Sequence, residues 1–181
     1  LLYINRSKIV DLLGSGGFSY VYKVIDSNKQ IFALKTEKDD LQYSYLKNEV
    51  SCLKELKDLC FPNIRESGHK HNFNFLVMNI YGLSVHSVCK AQKLPINITF
   101  PICYKMFTVI STLHKNGYIH RDIKPSNFLF QLSKTDQLVL IDFGLALEYI
   151  DHETGLVIEY EQTKFAGTKK YASYYAHKYN Q

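Results

Sequence analysis

The sequence predicts an α+β fold in two parts: a mainly antiparallel sheet with one helix, then a helix-led region, with a cleft at the join. Three observations lead there. A side-chain period of two dominates the first 80 residues and is interrupted once by a helical period. A long i, i+3/i+4 apolar stripe then opens the second half. Finally, 46% of the 181 residues are apolar, enough for a sizeable core and too many for a disordered chain. That length suits one domain or one split into two lobes. No uninterrupted apolar run exceeds four residues, which argues against a membrane span or a signal peptide. The net charge of +5 comes without basic blocks, so neither nucleic acid nor a membrane surface is an expected partner. Cys52, Cys60, Cys89 and Cys103 form no CxxC pair, which favours a reducing compartment over a zinc site or a disulfide framework.

Val10 to Leu13 leads into a glycine cluster, after which Phe18, Tyr20, Tyr22 and Val24 alternate with Ser19, Val21, Lys23 and Ile25. This predicts a hairpin turning at Gly14-Ser15-Gly16-Gly17. Ile31 to Lys35 is a third strand after a turn at Ser27-Asn28, and Lys38, Asp39 and Asp40 read as a solvated turn. From about Leu41 to Leu59 the period becomes helical. Leu46, Val50 and Leu53 share one face, and Glu49 falls on it. Two further strands are predicted near Ile64 to Gly68 and Phe73 to Asn79. In the second half, Ile102, Met106, Val109, Ile110 and Leu113 mark a core helix, with Thr99 and Pro101 as its start and Gly117 as its end. Short strands at Phe128 to Phe130 and Leu138 to Ile141 flank a loop.

The chemistry-bearing residues begin with Gly14-Ser15-Gly16-Gly17-Phe18. A dinucleotide site needs a helix after the glycines, and a strand follows here. A glycine flap over nucleotide phosphates fits, because no Cβ blocks close approach. A flexible hairpin turn fits equally well. Lys35 ends an apolar strand, where an ammonium is costly unless paired, and Glu49 on the inward helical face is an available partner. Taken alone, Lys35 is more commonly an edge-strand lysine than a phosphate ligand. The decisive stretch is His120-Arg121-Asp122-Ile123-Lys124-Pro125-Ser126-Asn127, followed by Ile141-Asp142-Phe143-Gly144. One carboxylate to orient a hydroxyl, and another with an amide to hold Mg²⁺, is what phosphoryl transfer requires. The histidines, including His69 and His71, lack metal-ligand spacing, and His120 reads as a packing and backbone-bonding residue rather than a base. Asn5-Arg6-Ser7 and Asn97-Ile98-Thr99 match the glycosylation pattern but would stay unmodified in a reducing compartment. The tyrosines at 171, 174, 175 and 179 read as packing residues.

The strings HRDIKPSNF and IDFGLA, with GTKKYAS beginning at Gly167, resemble the protein kinase fold and, within it, the casein kinase I superfamily. Tau-tubulin kinases are the most similar, through KNEVSCLKEL, HRDIKPSNF and the spacing around Phe165-Ala166-Gly167-Thr168. The resemblance runs from about residue 9 to the last. It implies a bilobal kinase: residues 1–81 as the small lobe with glycine-rich loop, strand lysine, helix glutamate and hinge, and 82–181 as a partial large lobe with catalytic loop, DFG and activation segment.

What the resemblance implies for the site can be stated residue by residue. Leu13, Gly14 and Gly16 belong to the phosphate-covering loop, Val21 and Ala33 lie above the adenine, and Leu129 lies below it. Met78 lines the back of the nucleotide pocket, and Asn79 to Tyr81 form the hinge. Lys35 binds the α/β-phosphates and pairs with Glu49. Asp122 accepts the substrate hydroxyl proton, Lys124 stabilises the moving phosphoryl, and Asn127 and Asp142 hold Mg²⁺. Thr168 closes the substrate side. Lys170 matches a basic position that favours acidic or phospho-primed protein substrates. The implied enzyme is an ATP- and Mg²⁺-dependent serine/threonine protein kinase, monomeric and intracellular in the cytoplasm and/or nucleus, with a pseudokinase or ATP-binding scaffold as the alternative.

Two departures from the family pattern stand out: Ser19 replaces the third loop glycine, tolerable if its backbone keeps φ negative, and Tyr175 replaces an asparagine. The chain begins with Leu1 and stops at Gln181, before the helices that complete a large lobe. The expectation is a fragment, poorly stable and inactive by itself.

Overall fold

A computed structural model of the chain describes residues 3–4, 7–37, 43–70, 72–134, 136–160 and 165–179, with backbone alone at Tyr3, Ile4 and Tyr179. The expected turn at Lys38 to Asp40, the expected helix start at Leu41, His71, and Asn5 and Arg6 of the first sequon lie outside the described residues. The chain forms two compact units, Leu1–Ile80 and Tyr81–Gln181.

The first unit is an antiparallel sheet of β1 (Tyr3–Ile4), β2 (Ser7–Ser15), β3 (Ser19–Ile25), β4 (Ile31–Glu37), β5 (Ile64–Lys70) and β6 (Phe73–Asn79), in the order β1-β2-β3-β4-β6-β5. The hairpin turn is tighter than expected. Gly14 and Ser15 pair with Val21 and Tyr20 and continue the strand. The turn proper is closed where the Gly16 N–H donates to the Ser19 carbonyl (2.9 Å). Register shifts at Ile9/Asp11 and Leu12/Gly14 carry the strand this far, since a bulge lets a ladder resume after a skipped residue. The next turn is fixed by Asp26, whose Oδ1 accepts from the N–H groups of Asn28 (2.8 Å) and Gln30 (2.9 Å).

Alternation along β4 sorts the sheet into two faces. Phe32 and Leu34 join Val24, Phe75 and Val77 in one apolar cluster. Ala33 and Lys35 face the other way. The helix α1 (Tyr45–Glu55) is shorter than the periodicity suggested. Ser44 caps it by accepting from the Lys47 N–H (3.2 Å), and the Leu56 N–H closes its end on the Cys52 carbonyl (3.2 Å). It buries Leu46, Glu49, Cys52 and Leu53. Glu37, the last residue of β4, pins its first turn, accepting from the Ser44 hydroxyl (2.7 Å), the Leu46 N–H (2.8 Å) and the Asn74 amide (2.7 Å). Burial pushes the Glu37 carboxyl upward, and these hydrogen bonds outweigh it and hold it below the ordinary value.

The second unit opens with α2 (Val85–Ala91), a helix the sequence did not predict. Ser84 caps it, accepting from the Ser87 N–H (3.0 Å), and Val85 is its buried residue. Val85, Val88 and Cys89 fall at i, i+3 and i+4, but over seven positions shared with His86, Ser87 and Lys90 the pattern is too short to stand out. The long helix α3 (Ile96–Lys115) begins five residues before Pro101. Pro95 flanks it, and its carbonyl takes the Ile98 and Thr99 N–H groups and the Thr99 hydroxyl. The first turn therefore forms without Pro101. Gly117 (φ +76°) ends the helix, as expected. Of the predicted stripe, Val109 and Leu113 are buried while Ile102, Met106 and Ile110 are half-buried. On another side, Ile96, Phe100, Tyr104 and Phe107 are exposed by 66–78%.

By length and composition α3 is apolar enough to cross a membrane, with a mean hydropathy of 1.3. Polar residues such as Asn97, Thr99, Lys105 and Thr108 interrupt its apolar ones, so it contains no long uninterrupted apolar run. Its Lys105, which would be costly at a bilayer centre, donates to the Asp136 carbonyl. Two short ladders complete the unit: β7 (Tyr118–Ile119) with β10 (Leu147–Glu148), and β8 (Phe128–Phe130) with β9 (Leu138–Leu140). Phe128, Val139, Leu140, Leu113 and Phe143 are fully buried there. The last helix is α4 (Tyr174–Tyr179). Tyr171, Tyr174 and Tyr175 are exposed rather than packed.

Candidate active site

In the first unit, Lys35 Nζ meets Glu49 Oε2 at 2.5 Å, with the residues 6% and 1% exposed. The sheet dictates this position. Lys35 pairs with Val21 on β3 and Leu76 on β6, while Ala33 pairs with Lys23 and Met78. Directly paired residues share a face, as do residues two apart. Val21, Ala33, Lys35 and Met78 therefore line one face, the side to which α1 delivers Glu49. A charge this deeply buried is tolerable only because its partner is held by regular backbone on both sides. Gly14 and Gly16 are exposed at the hairpin, as is Leu13 in β2. Ser19 has negative φ, so the missing third glycine costs the backbone nothing.

In the second unit the loop after β7 converges on one carboxylate. Asp122 is 8% exposed. Its Oδ1 accepts from the Thr168 N–H (2.9 Å) and hydroxyl (2.7 Å), and its Oδ2 from Lys124 Nζ (2.6 Å). Lys124 also donates to Thr168 Oγ1 (3.1 Å). Asn127 donates its Nδ2 to the Asp122 carbonyl (2.9 Å), so its side-chain oxygen is the half of the amide not used in that bond.

Two unusual backbones flank the convergence, Arg121 (φ +64°) and Gly167 (φ +104°), and Asp142 (φ +71°) is a third in the same unit. Non-glycine residues adopt such angles at a cost and cluster at functional sites. At Gly167 a Cβ would overlap the Arg121 carbonyl oxygen, so only glycine lets residue 168 approach Asp122. The Arg121 Nε donates to the Leu145 carbonyl (2.6 Å), fastening the loop to the turn after Asp142. Sequence reasoning gave neither Arg121 nor Gly167 a role of its own. A glycine beside Thr168, outside any predicted element, was the available signal.

His120 is 1% exposed and meets the Phe143 ring edge-on at 5.0 Å. The Asp122 N–H donates to its Nδ1 (3.3 Å), so Nε2 carries the proton and donates to the Ile141 carbonyl (3.0 Å). Burial holds its pKa below the ordinary 6.5, against the upward pull of Ile141, Asp142 and Asp122. It is a neutral structural ring, as expected from sequence.

The donor set fits Mg²⁺ bound with a nucleotide. Asp142 offers a carboxylate and Asn127 an amide oxygen. The Ile141 N–H donates to the Asn127 carbonyl (2.9 Å), tying the two segments together. Mg²⁺ is commonly held by one or two protein oxygens plus substrate phosphates rather than by an all-protein cage. Among the described residues, no cluster of three His, Cys, Asp or Glu could hold a metal alone.

A family model described as the protein kinase domain matches residues 7–175. The chain belongs to the protein kinase family. A curated relative, a probable serine/threonine-protein kinase of Dictyostelium discoideum, is 35% identical over 182 residues, covering 96% of this chain and 36% of the relative. The chain spans about a third of that relative's length. Lys170 is exposed, its ammonium 5.6 Å from the Tyr171 ring centre. Leu129 is half-buried in β8 and bridges to Ser84. Asn79 is exposed at the end of β6, and Tyr81 is half-buried at the start of the second unit.

Proposed function

We propose that this kinase domain transfers the γ-phosphate of ATP to serine or threonine of protein substrates, as a casein kinase I-type enzyme most similar to tau-tubulin kinases. The arrangement of Lys124 and Thr168 around Asp122 carries the reading. A carboxylate whose oxygens already accept from an ammonium, a hydroxyl and a backbone N–H is held rigidly to orient an incoming alcohol. That suits phosphoryl transfer, in which positioning and charge stabilisation outweigh covalent chemistry. The likeness to the probable serine/threonine-protein kinase of Dictyostelium supports the same class.

In this reading Asp122 orients the substrate hydroxyl and receives its proton, and Lys124 neutralises charge developing on the transferred group. Lys35, aligned by Glu49, binds the α/β-phosphates, and Asn127 and Asp142 hold Mg²⁺, which supplies charge neutralisation of the phosphates. Leu13, Gly14 and Gly16 cover the phosphates. Val21, Ala33, Met78 and Leu129 enclose the adenine, with Asn79 and Tyr81 at its hinge edge. Exposed Lys170, next to Lys169, supports acidic or phospho-primed substrates. Four free thiols suit a reducing cytoplasm and/or nucleus, and the domain is proposed to act as a monomer.

The test uses the full protein, radiolabelled ATP and an acidic protein substrate. Asp122→Asn should lower the rate by about 10² to 10⁴, the range for loss of a general base. Equal labelling by wild type and variant rejects the role. Binding of Mg²⁺–ATP by the wild type without transfer would make the chain a nucleotide-binding scaffold instead.

A further inference from the structure

Apart from its backbone ladder and the Gly16–Ser19 hydrogen bond, the glycine-rich hairpin has little to hold it from within. A Cβ added at Gly14 or Gly17 would meet nothing within 4 Å, and one at Gly16 would only reach the Ser19 carbonyl (4.0 Å). Residues 11–18 are all exposed, and a glycine-rich segment of this kind samples many backbone states. Yet its tip has a defined resting place. The Phe18 ring stacks on Tyr45, with centroids 4.1 Å apart and planes 27° apart. Tyr43 meets Tyr45 edge-on at 5.2 Å and 74°. Tyr45 is the first residue of α1, one turn before the Glu49 that pairs with Lys35. That same turn is anchored to the sheet by Glu37, two residues beyond Lys35.

We infer that Tyr45 is a positioning residue for the nucleotide-covering loop: by stacking on Phe18 it parks the hairpin against the end of α1. One helix end then governs both the loop and the Lys35–Glu49 pair. The inference rests on the nucleotide-binding reading above, and Tyr45 acts through Phe18 rather than on the nucleotide. A ligand's apparent affinity falls in proportion to the fraction of protein in its competent state. Loss of one aromatic stack should therefore weaken nucleotide binding about two- to tenfold.

The 181 residues contain no tryptophan, so Phe18→Trp places a single reporter at the tip. In that background Tyr45→Ala should increase acrylamide quenching of the emission, while Tyr45→Phe leaves it unchanged. Calorimetry with Mg²⁺ and the non-hydrolysable analogue AMP-PNP, on chains keeping Phe18, should show Tyr45→Ala binding about two- to tenfold more weakly and Tyr45→Phe matching the wild type. In a Phe18→Ala background, Tyr45→Ala should have no further effect. Wild-type affinity in Tyr45→Ala overturns the inference, as does an effect equally large without Phe18. If the wild type itself fails to bind AMP-PNP, the nucleotide reading falls and takes the inference with it. The two failures are told apart because in the first the wild type binds.

Discussion

Lys35 and Glu49 meet across a strand and a helix, whereas Asp122, Lys124, Asn127 and Thr168 meet across loops. The first pair is almost wholly buried, and its two residues are fixed by regular backbone on both sides. The second cluster depends on left-handed backbone at Arg121 and positive φ at Gly167, and its lysine side chain is 22% exposed. The difference follows from the tasks. A pair that only holds geometry can sit inside regular structure, where burial strengthens it. A carboxylate that must meet a reacting group needs donors aimed at it from several directions while one side stays accessible, and loops supply that at the cost of strain.

The contrast can be broken first at the buried pair. Glu49→Ala removes the carboxylate that meets the buried Lys35 ammonium and should destabilise the first unit by about 3–5 kcal/mol, read from urea denaturation. Lys35→Met together with Glu49→Leu removes both charges and should recover most of that loss. A double variant as unstable as the single would mean that packing, and not charge, holds the two elements. The loop cluster should break through its backbone instead. Gly167→Ala imposes about 1–3 kcal/mol of backbone strain plus the overlap with Arg121. Its lower melting temperature should come with faster protease cleavage around residues 165–168. Unchanged values for both would show that the approach of Thr168 does not need glycine.

The smallest effect sharpens the comparison through pH. Folding holds His120 neutral with a depressed pKa, so below pH 6.5 the unfolded chain takes up a proton that the folded one refuses. The stability present above 6.5 is therefore lost as pH falls, by up to about 1.4 kcal/mol per pH unit. Denaturation at pH 7.5 and 5.5 should show this drop in the wild type and a smaller one in His120→Gln. Equal drops would acquit the ring.

The same contrast explains what could be read from the chain. Lys35 and Glu49 were legible because they fall on periodic segments: Glu49 shares a face with Leu46 and Leu53, and Lys35 ends an apolar strand. Asp122, Asn127 and Asp142 were legible only as residue types in a string; the meeting of Asp122 with Asn127 and Thr168 depends on left-handed backbone at Arg121, which no local propensity predicts for arginine. Thr168 lies 46 residues from Asp122, beyond any periodic argument. A short element was missed, as α2 was, and a long one was misjudged at its start, as α3 was at Pro101.

The bare flank of α3 has a practical consequence. Ile96, Phe100, Tyr104 and Phe107 recur at steps of four, four and three, so their side chains line up in water along a single ridge. A ridge like that is adhesive. Biophysical work on the 181-residue polypeptide should therefore begin at low concentration, with light scattering and a dye such as ANS as controls, before any transition is assigned to unfolding.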